Sequence, residues 1–277
     1  MKILFPLLLL SSNAFANFTV VSWNGKHIGR PKQDLAQSSI LLKSGDIIAF
    51  QEVNASDSGV RAIRDIGRNL SLQTGFKYCV GLSEIPSDGK ERYAYLWKEG
   101  VIAYVTTKGE AMKSCGDSTV TIKLGATQSA QIIREPAIGM FLEIKTGVKF
   151  VMGTVHLVPT SKNPENEAPY AFRAMDEWQS KYPRILVGDF NLDASSYGFS
   201  EAKGNGYRPS LASGVRTSLS SSKRAYSKAY DNIFVKGLDV SFSSVIDPFT
   251  LLSGMDHKLI YKVISDHAPI EAVIVTE

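Results

Sequence analysis

Arg184-Ile185-Leu186-Val187-Gly188-Asp189-Phe190-Asn191 is an apolar run that stops abruptly at short polar side chains. The apolar part is too brief for a helix and reads as a buried strand. Asp189 and Asn191 are two positions apart, so they leave the strand end on the same side while Phe190 turns into the core. A lone Asp-Phe-Asn is also what an Asx turn looks like. The pattern recurs, however. Trp23-Asn24 follows the strand at 18–22 and Gln51-Glu52 follows the strand at 47–50, while Tyr230-Asp231-Asn232 and Ser265-Asp266-His267 border strands around Ile233 and Val263. A fold that gathers these ends at one edge of its sheets collects a metal-binding carboxylate, several amides and two imidazoles. Those are the groups that phosphodiester cleavage requires.

Outward from these ends, periodicity predicts helices over 32–43, 60–72 and 165–181. Strands are predicted over 93–97, 101–106, 138–144 and 148–155, and again over 232–235, 240–245, 260–264 and 269–275. The Gly-, Ser- and Arg-rich stretch 204–227 shows little apolar periodicity and reads as a long surface loop. Many strands, few helices and no internal repeat or low-complexity linker imply one α/β domain of two packed sheets with helices outside.

The 277 residues carry 31 basic and 27 acidic side chains, a net charge of +4 that permits a nucleic acid ligand without demanding one. Lys2, the apolar run 3–10 and Ala14-Phe15-Ala16 have the order of a secretory signal peptide, so residues 1–16 are expected to be removed and 17–277 to form the catalytic domain. No later stretch holds the roughly 18 uninterrupted apolar residues of a membrane span. An exported chain, extracellular or periplasmic, meets an oxidising compartment. Cys79 and Cys115, its two cysteines, then either bridge or stay as separate buried thiols.

Glu52 is the best candidate metal ligand, because a carboxylate directly after a buried strand is held rigidly and hard oxygen suits Mg2+, with Mn2+ or Ca2+ as alternatives. Of the four histidines, His156 and His267 sit at strand ends, whereas His27 and His257 lie in polar, loop-like surroundings. A carboxylate partner orients an imidazole and raises its basicity. Glu91 and Asp231 are candidate partners, although spacing alone does not pair them.

Asn24, Gln51-Glu52-Val53, Lys90-Glu91-Arg92-Tyr93, Arg134-Glu135-Pro136-Ala137, His156, Gly188-Asp189-Phe190-Asn191, Tyr230-Asp231 and Ser265-Asp266-His267 occur in an order and spacing that resembles deoxyribonuclease I and its relatives in the endonuclease/exonuclease/phosphatase superfamily. The match spans nearly the whole expected mature chain. The resemblance implies a four-layered α/β sandwich, two mostly antiparallel sheets flanked by helices, with the site in a cleft at one sheet edge. It implies Glu52, Asp266 and Asn24 around a metal ion, and Asn24, Arg134 and Asn191 on the substrate phosphate. It also implies a catalytic set of His156 with Glu91, His267 with Asp231, and Asp189. The expected activity is a secreted, metal-dependent endonuclease acting on DNA, with RNA as a further substrate.

The chain departs from that branch in places. Asn54 and Gly89 stand where the branch has an arginine and a tyrosine that grip the minor groove, which weakens the case for a strict duplex preference. Only Cys115 of the branch's short bridge is kept, so Cys79 must be its partner if a bridge forms. Other readings keep the same chemistry on a lipid headgroup, as in sphingomyelinases and phosphoinositide phosphatases, or place the chain as the nuclease subunit of a multi-chain toxin rather than a monomer. Trp23, Trp97 and Trp178 are scattered and form no membrane-dipping tip.

Overall fold

The structure is a computed structural model that describes residues 16–125, 132–179 and 181–276. The segment expected to be removed lies outside the described residues except for Ala16, which opens the first strand. The strands, in chain order, are β1 (Ala16–Ile28), β2 (Ile47–Asn54), β3 (Tyr78–Ser83), β4 (Glu91–Lys98), β5 (Ile102–Val105), β6 (Ala111–Met112) and β7 (Thr119–Leu124). They continue as β8 (Ala137–Glu143), β9 (Lys149–His156), β10 (Arg184–Asp189), β11 (Arg208–Pro209), β12 (Asp231–Lys236), β13 (Asp239–Val245) and β14 (Ile270–Thr276). The helices are α1 (Leu35–Ile40), α2 (Asp57–Thr74), α3 (Pro164–Glu177), α4 (Ser200–Gly204), α5 (Pro248–Leu251) and α6 (His257–Leu259), with a π-helical turn at Ile260–Ile264.

The strands form one ladder, β11-β12-β10-β9-β8-β7-β3-β4-β2-β1-β14-β13, and β5 branches off β8 to pair with β6. The ladder folds on itself at β7, which pairs β3 in one half and β8 in the other. β1–β2, β9–β10 and β3–β7 are parallel and the other pairings antiparallel. This is the expected four-layered sandwich, with its two sheets joined along one side.

Strand periodicity builds the layers. In β2, Ile47 and Ala49 enter the core between the half-sheets, while Ile48 and Phe50 face α1 and α2. In β10, Ile185 and Val187 face the same inner core, and Leu186 faces the α3 side with Phe172, Phe190 and Phe199. β9 alternates likewise, with Phe150 and Met152 inside and Val151 and Val155 outside. Continued to the strand ends, the inward positions become polar: Ser22 and Asn24 on β1, Gln51 on β2, Glu91 on β4, Thr154 and His156 on β9, Asp189 on β10 and Asp231 on β12. All are buried. Gln51 Nε2 donates to Thr154 Oγ1 at 2.7 Å and Ser22 Oγ at 3.2 Å, tying one half-sheet to the other.

Two expectations are corrected. The predicted strand 260–264 is helical: Asp256 caps the preceding turn through Lys258 N–H, and Ile260 and Ile264, four apart, face the same core as α1. A short apolar run fits either structure, because a spacing of four places two side chains on one face of a strand and of a helix alike. The stretch 204–227 is not wholly surface. Leu211, Thr217 and Leu219 are buried, and Ser218 bridges His267. Strands β3 and β7 were not expected at all. Cys79 on β3 and Cys115 form the disulfide, with Cα atoms 5.7 Å apart.

Candidate active site

Asn24 is fully buried and bridges two carboxylates. Its Nδ2 donates to Glu52 Oε1 and to Asp189 Oδ2, each at 3.0 Å. Asp189 reaches this point because it continues the inward face of β10. Glu52 does not share that parity, since on a regular β2 it would follow Ile48 and Phe50 toward the helices. Its backbone instead takes a left-handed φ of 56°, and the β2–β4 register shifts between Phe50 and Val53. Such a bulge re-aims a side chain, here into the site.

Two imidazoles flank Asp189. His156 Nδ1 lies 2.9 Å from Glu91 Oε1, and His267 Nδ1 lies 2.8 Å from Asp231 Oδ2. The opposite nitrogens converge, His156 Nε2 at 3.7 Å and His267 Nε2 at 3.6 Å from the same Asp189 Oδ2. Burial disfavours the His267 cation, but the charge of Asp231, the charge of Asp189 and the Asp231 hydrogen bond outweigh it and push its pKa up to about 10. His156 is raised in the same way: burial opposes it, and the hydrogen bond to Glu91 and the Asp189 charge prevail. Burial also opposes the Glu91 anion, yet His156 and Arg134 hold its carboxyl down at about 2. Asp189 is raised, because burial outweighs the pull of the His267 cation and Asp231 adds its own negative charge.

The sequence-derived set divides in this geometry. Asn24, Glu52, Glu91, His156, Asp189, Asp231 and His267 meet through the contacts above. Asn191 lies beside them, but its Nδ2 donates to Leu157 O at 3.1 Å and its N–H closes an Asx turn on Asp189 Oδ1 at 2.9 Å. The Asx turn of Asp-Phe-Asn is therefore present, and it lies beside the candidate site. Arg134 turns to Glu91 Oε1 and donates to Leu157 O at 2.7 Å, so its guanidinium supports the Glu91–His156 pair from behind. Asp266 pairs with Lys26 Nζ at 3.0 Å.

Several supporting residues have no role assigned from the sequence, although Tyr93 and Ser265 belong to segments that carry the resemblance. Thr217, from the presumed surface stretch, donates its hydroxyl to Asp231 Oδ2 at 2.5 Å. Tyr93 Oη accepts the N–H of His156 at 3.1 Å, and Ser265 Oγ donates to Asn24 O at 2.7 Å. His27, seemingly in a loop, approaches Glu52 Oε2 with Nδ1 at 3.3 Å.

Glu52, Glu91 and His156 offer ligand atoms within 4.8 Å of one another, as do Asp189, Asp231 and His267. Clustered hard oxygens with an imidazole nitrogen fit a divalent cation. Among the described residues no helix is long and apolar enough to cross a membrane.

A family model described as Endonuclease/Exonuclease/phosphatase family matches residues 21–267. A deoxyribonuclease of Thioalkalivibrio sp. (strain K90mix) is 27% identical over 282 residues, covering 95% of this chain and 73% of the relative. Among solved structures, D. rerio TDP2 complexed with single strand DNA product matches 94% of this chain and 100% of its own, with a TM-score of 0.64 and 16% identity. The human Nocturnin catalytic domain with bound sulfate anion matches 94% of this chain and 95% of its own, at 0.61 and 14%. A Bacteroides thetaiotaomicron mannosyl-6-phosphatase matches 94% and 100%, at 0.59 and 17%. At these identities the structural likenesses speak for the fold alone.

Proposed function

Since the chain belongs to the endonuclease/exonuclease/phosphatase family, we propose that it is an exported, Mg2+- or Mn2+-dependent endonuclease that hydrolyses phosphodiester bonds in DNA. The observation that carries this reading is the pair of imidazoles, each held at Nδ1 by a buried carboxylate and each directing Nε2 toward Asp189. That brings two imidazole nitrogens to one carboxylate oxygen, where each is placed to exchange a proton with a reacting group. The deoxyribonuclease relative supports DNA as the substrate, and the disulfide supports export.

In this mechanism water attacks phosphorus and the bond to the leaving oxygen breaks. One imidazole takes a proton from the water and the other gives one to the leaving oxygen; the two are assigned jointly. Glu91 and Asp231 fix the ring orientations, and Asp189 holds the attacking water between them. Asn24 and Asn191 bind the phosphoryl oxygens, and Arg134 acts through Glu91. Glu52, with Asn24 and Asp266 nearby, would hold the metal ion, which supplies charge stabilisation for the phosphoryl oxygens.

The test is to incubate purified protein with supercoiled plasmid, RNA and sphingomyelin, each with Mg2+ or with EDTA. Nicking of the plasmid that depends on metal is expected. Full nicking in excess EDTA would overturn the metal-dependent mechanism, and cleavage of sphingomyelin alone would replace the substrate.

A further inference from the structure

The segment Asn24–Ile28 is the irregular end of β1, where its register on β2 slips between Asn24 and Ile28. Lys26 and His27 are both left-handed, at φ 50° and 54°, and Glu52 opposite them is left-handed at 56°. Three non-glycine residues in a disfavoured conformation around one carboxylate mark a place where geometry is held for a purpose other than packing. The corner reaches most of the candidate metal set. Asn24 donates to Glu52 and Asp189, and Lys26 pairs with Asp266. His27 meets Glu52 Oε2 twice, with its backbone N–H at 3.1 Å and its ring Nδ1 at 3.3 Å. The His27 side chain is otherwise 66% exposed, so packing does not explain why the ring lies there.

The two oxygens of Glu52 thus have different neighbours. Oε2 is held by His27, while Oε1 faces Asn24 Nδ2 and, at 3.8 Å, His156 Nε2. We propose that His27 is a positioning residue of the metal centre: its ring holds Glu52 Oε2 so that Oε1 is presented toward Asp189 as the metal-binding oxygen. The inference rests on the reading of Glu52 as a metal ligand. The backbone N–H of His27 makes the hydrogen bond to Oε2 and the ring adds a close Nδ1 contact; removal of partners that orient ligating carboxylates typically weakens metal affinity by about 10–100-fold.

The test is isothermal titration of Mn2+ into the substrate-free chain and two variants, each checked for an unchanged thermal melt. His27→Gly removes the ring but relaxes the left-handed backbone, and His27→Asn keeps a side-chain donor in a residue that tolerates that conformation. His27→Gly is expected to bind Mn2+ at least about tenfold more weakly, with His27→Asn recovering much of the loss. If His27→Gly binds as well as wild type, the ring has no such role and the proposal fails. If wild type itself takes up no Mn2+, the metal centre fails and this role with it.

Discussion

His267 is the residue whose surroundings alter its chemistry most clearly. With its pKa pushed up from 6.5 to about 10, chiefly by Asp231 and Asp189 against burial, it is a cation at neutral pH in the metal-free protein. In an Asp231→Asn variant the ring should titrate at least about one unit lower, read from its carbon-bound proton by NMR; an unchanged titration would remove Asp231 from its role. The raised pKa fixes the sign for stability. Stabilisation from the charged pair is complete below the unfolded value of 6.5 and is lost as pH rises through about 10, so Asp231→Asn should cost more stability near pH ~6 than above pH ~10. His156→Ala and His267→Ala should each slow turnover by at least ~10²-fold, and the double variant should lose far less than the product of the two, because both act on one transition state. Near-wild-type turnover in either single variant would exclude that residue. His156 was legible because it ends a recognisable strand, whereas His267 was singled out at the end of an expected strand, 260–264, that is helical, and it stands just before β14. Thr217 was not, since nothing local distinguishes a hydroxyl that meets Asp231 from others in a serine-rich stretch. Arg134 was a candidate phosphate contact from the resemblance, but its direction was not legible, because contact with Glu91 and Leu157 depends on the folding together of distant strands.

At the scale of elements, β10 shows how narrowly the site is built. Gly188 has a φ of 149°, and a β-carbon there would lie 1.9 Å from Val155 O on neighbouring β9. Gly188→Ala should therefore force β9 and β10 apart between His156 and Asp189, lowering stability by roughly 1–3 kcal/mol or more and depressing activity beyond that loss. A wild-type melt and rate would show that the pairing is less close. Period-two reading of β1, β2, β9, β10 and β12 was sufficient to place most of the site, because the inward face simply continues from apolar to polar. It could not place Glu52, which reaches the site only through a bulge, nor the 260–264 turn, where short apolar runs fit either structure. The disulfide ties a strand to a connection: Cys79 on β3 and Cys115 on the approach to β7 are 36 positions apart. Its reduction should lower stability by about 3–4 kcal/mol in the chain-entropy model, seen as a fall in the urea midpoint, while leaving catalysis in the native state unchanged. Equal midpoints with and without reductant would refute that contribution.

At the scale of the whole molecule, the proposed function bears on whether duplex or single-stranded DNA is preferred. Asn54 ends β2 opposite Glu91, and Gly89 lies in the turn before β4, so both lie close to Glu52 or Glu91 along the chain or across the ladder. Lacking a cation and an aromatic ring there, the chain should discriminate weakly between duplex and single-stranded oligonucleotides. Asn54→Arg should increase the duplex preference; Gly89→Tyr is a harsher probe, since Gly89 has a φ of 70°. A strong duplex preference in the wild type, unaltered by Asn54→Arg, would show that groove contacts come from elsewhere. The curled ladder has one more consequence. Asn24 on β1 holds Asp189 on β10, and Gln51 on β2 holds Thr154 on β9, so polar links cross from one half-sheet to the other at the candidate site. Neither half can open without dismantling the site. Backbone amides of β2 and β10 should then exchange with deuterium at one common rate, and a ligand seated between Glu52 and Asp189 should slow both equally, even where it touches neither strand.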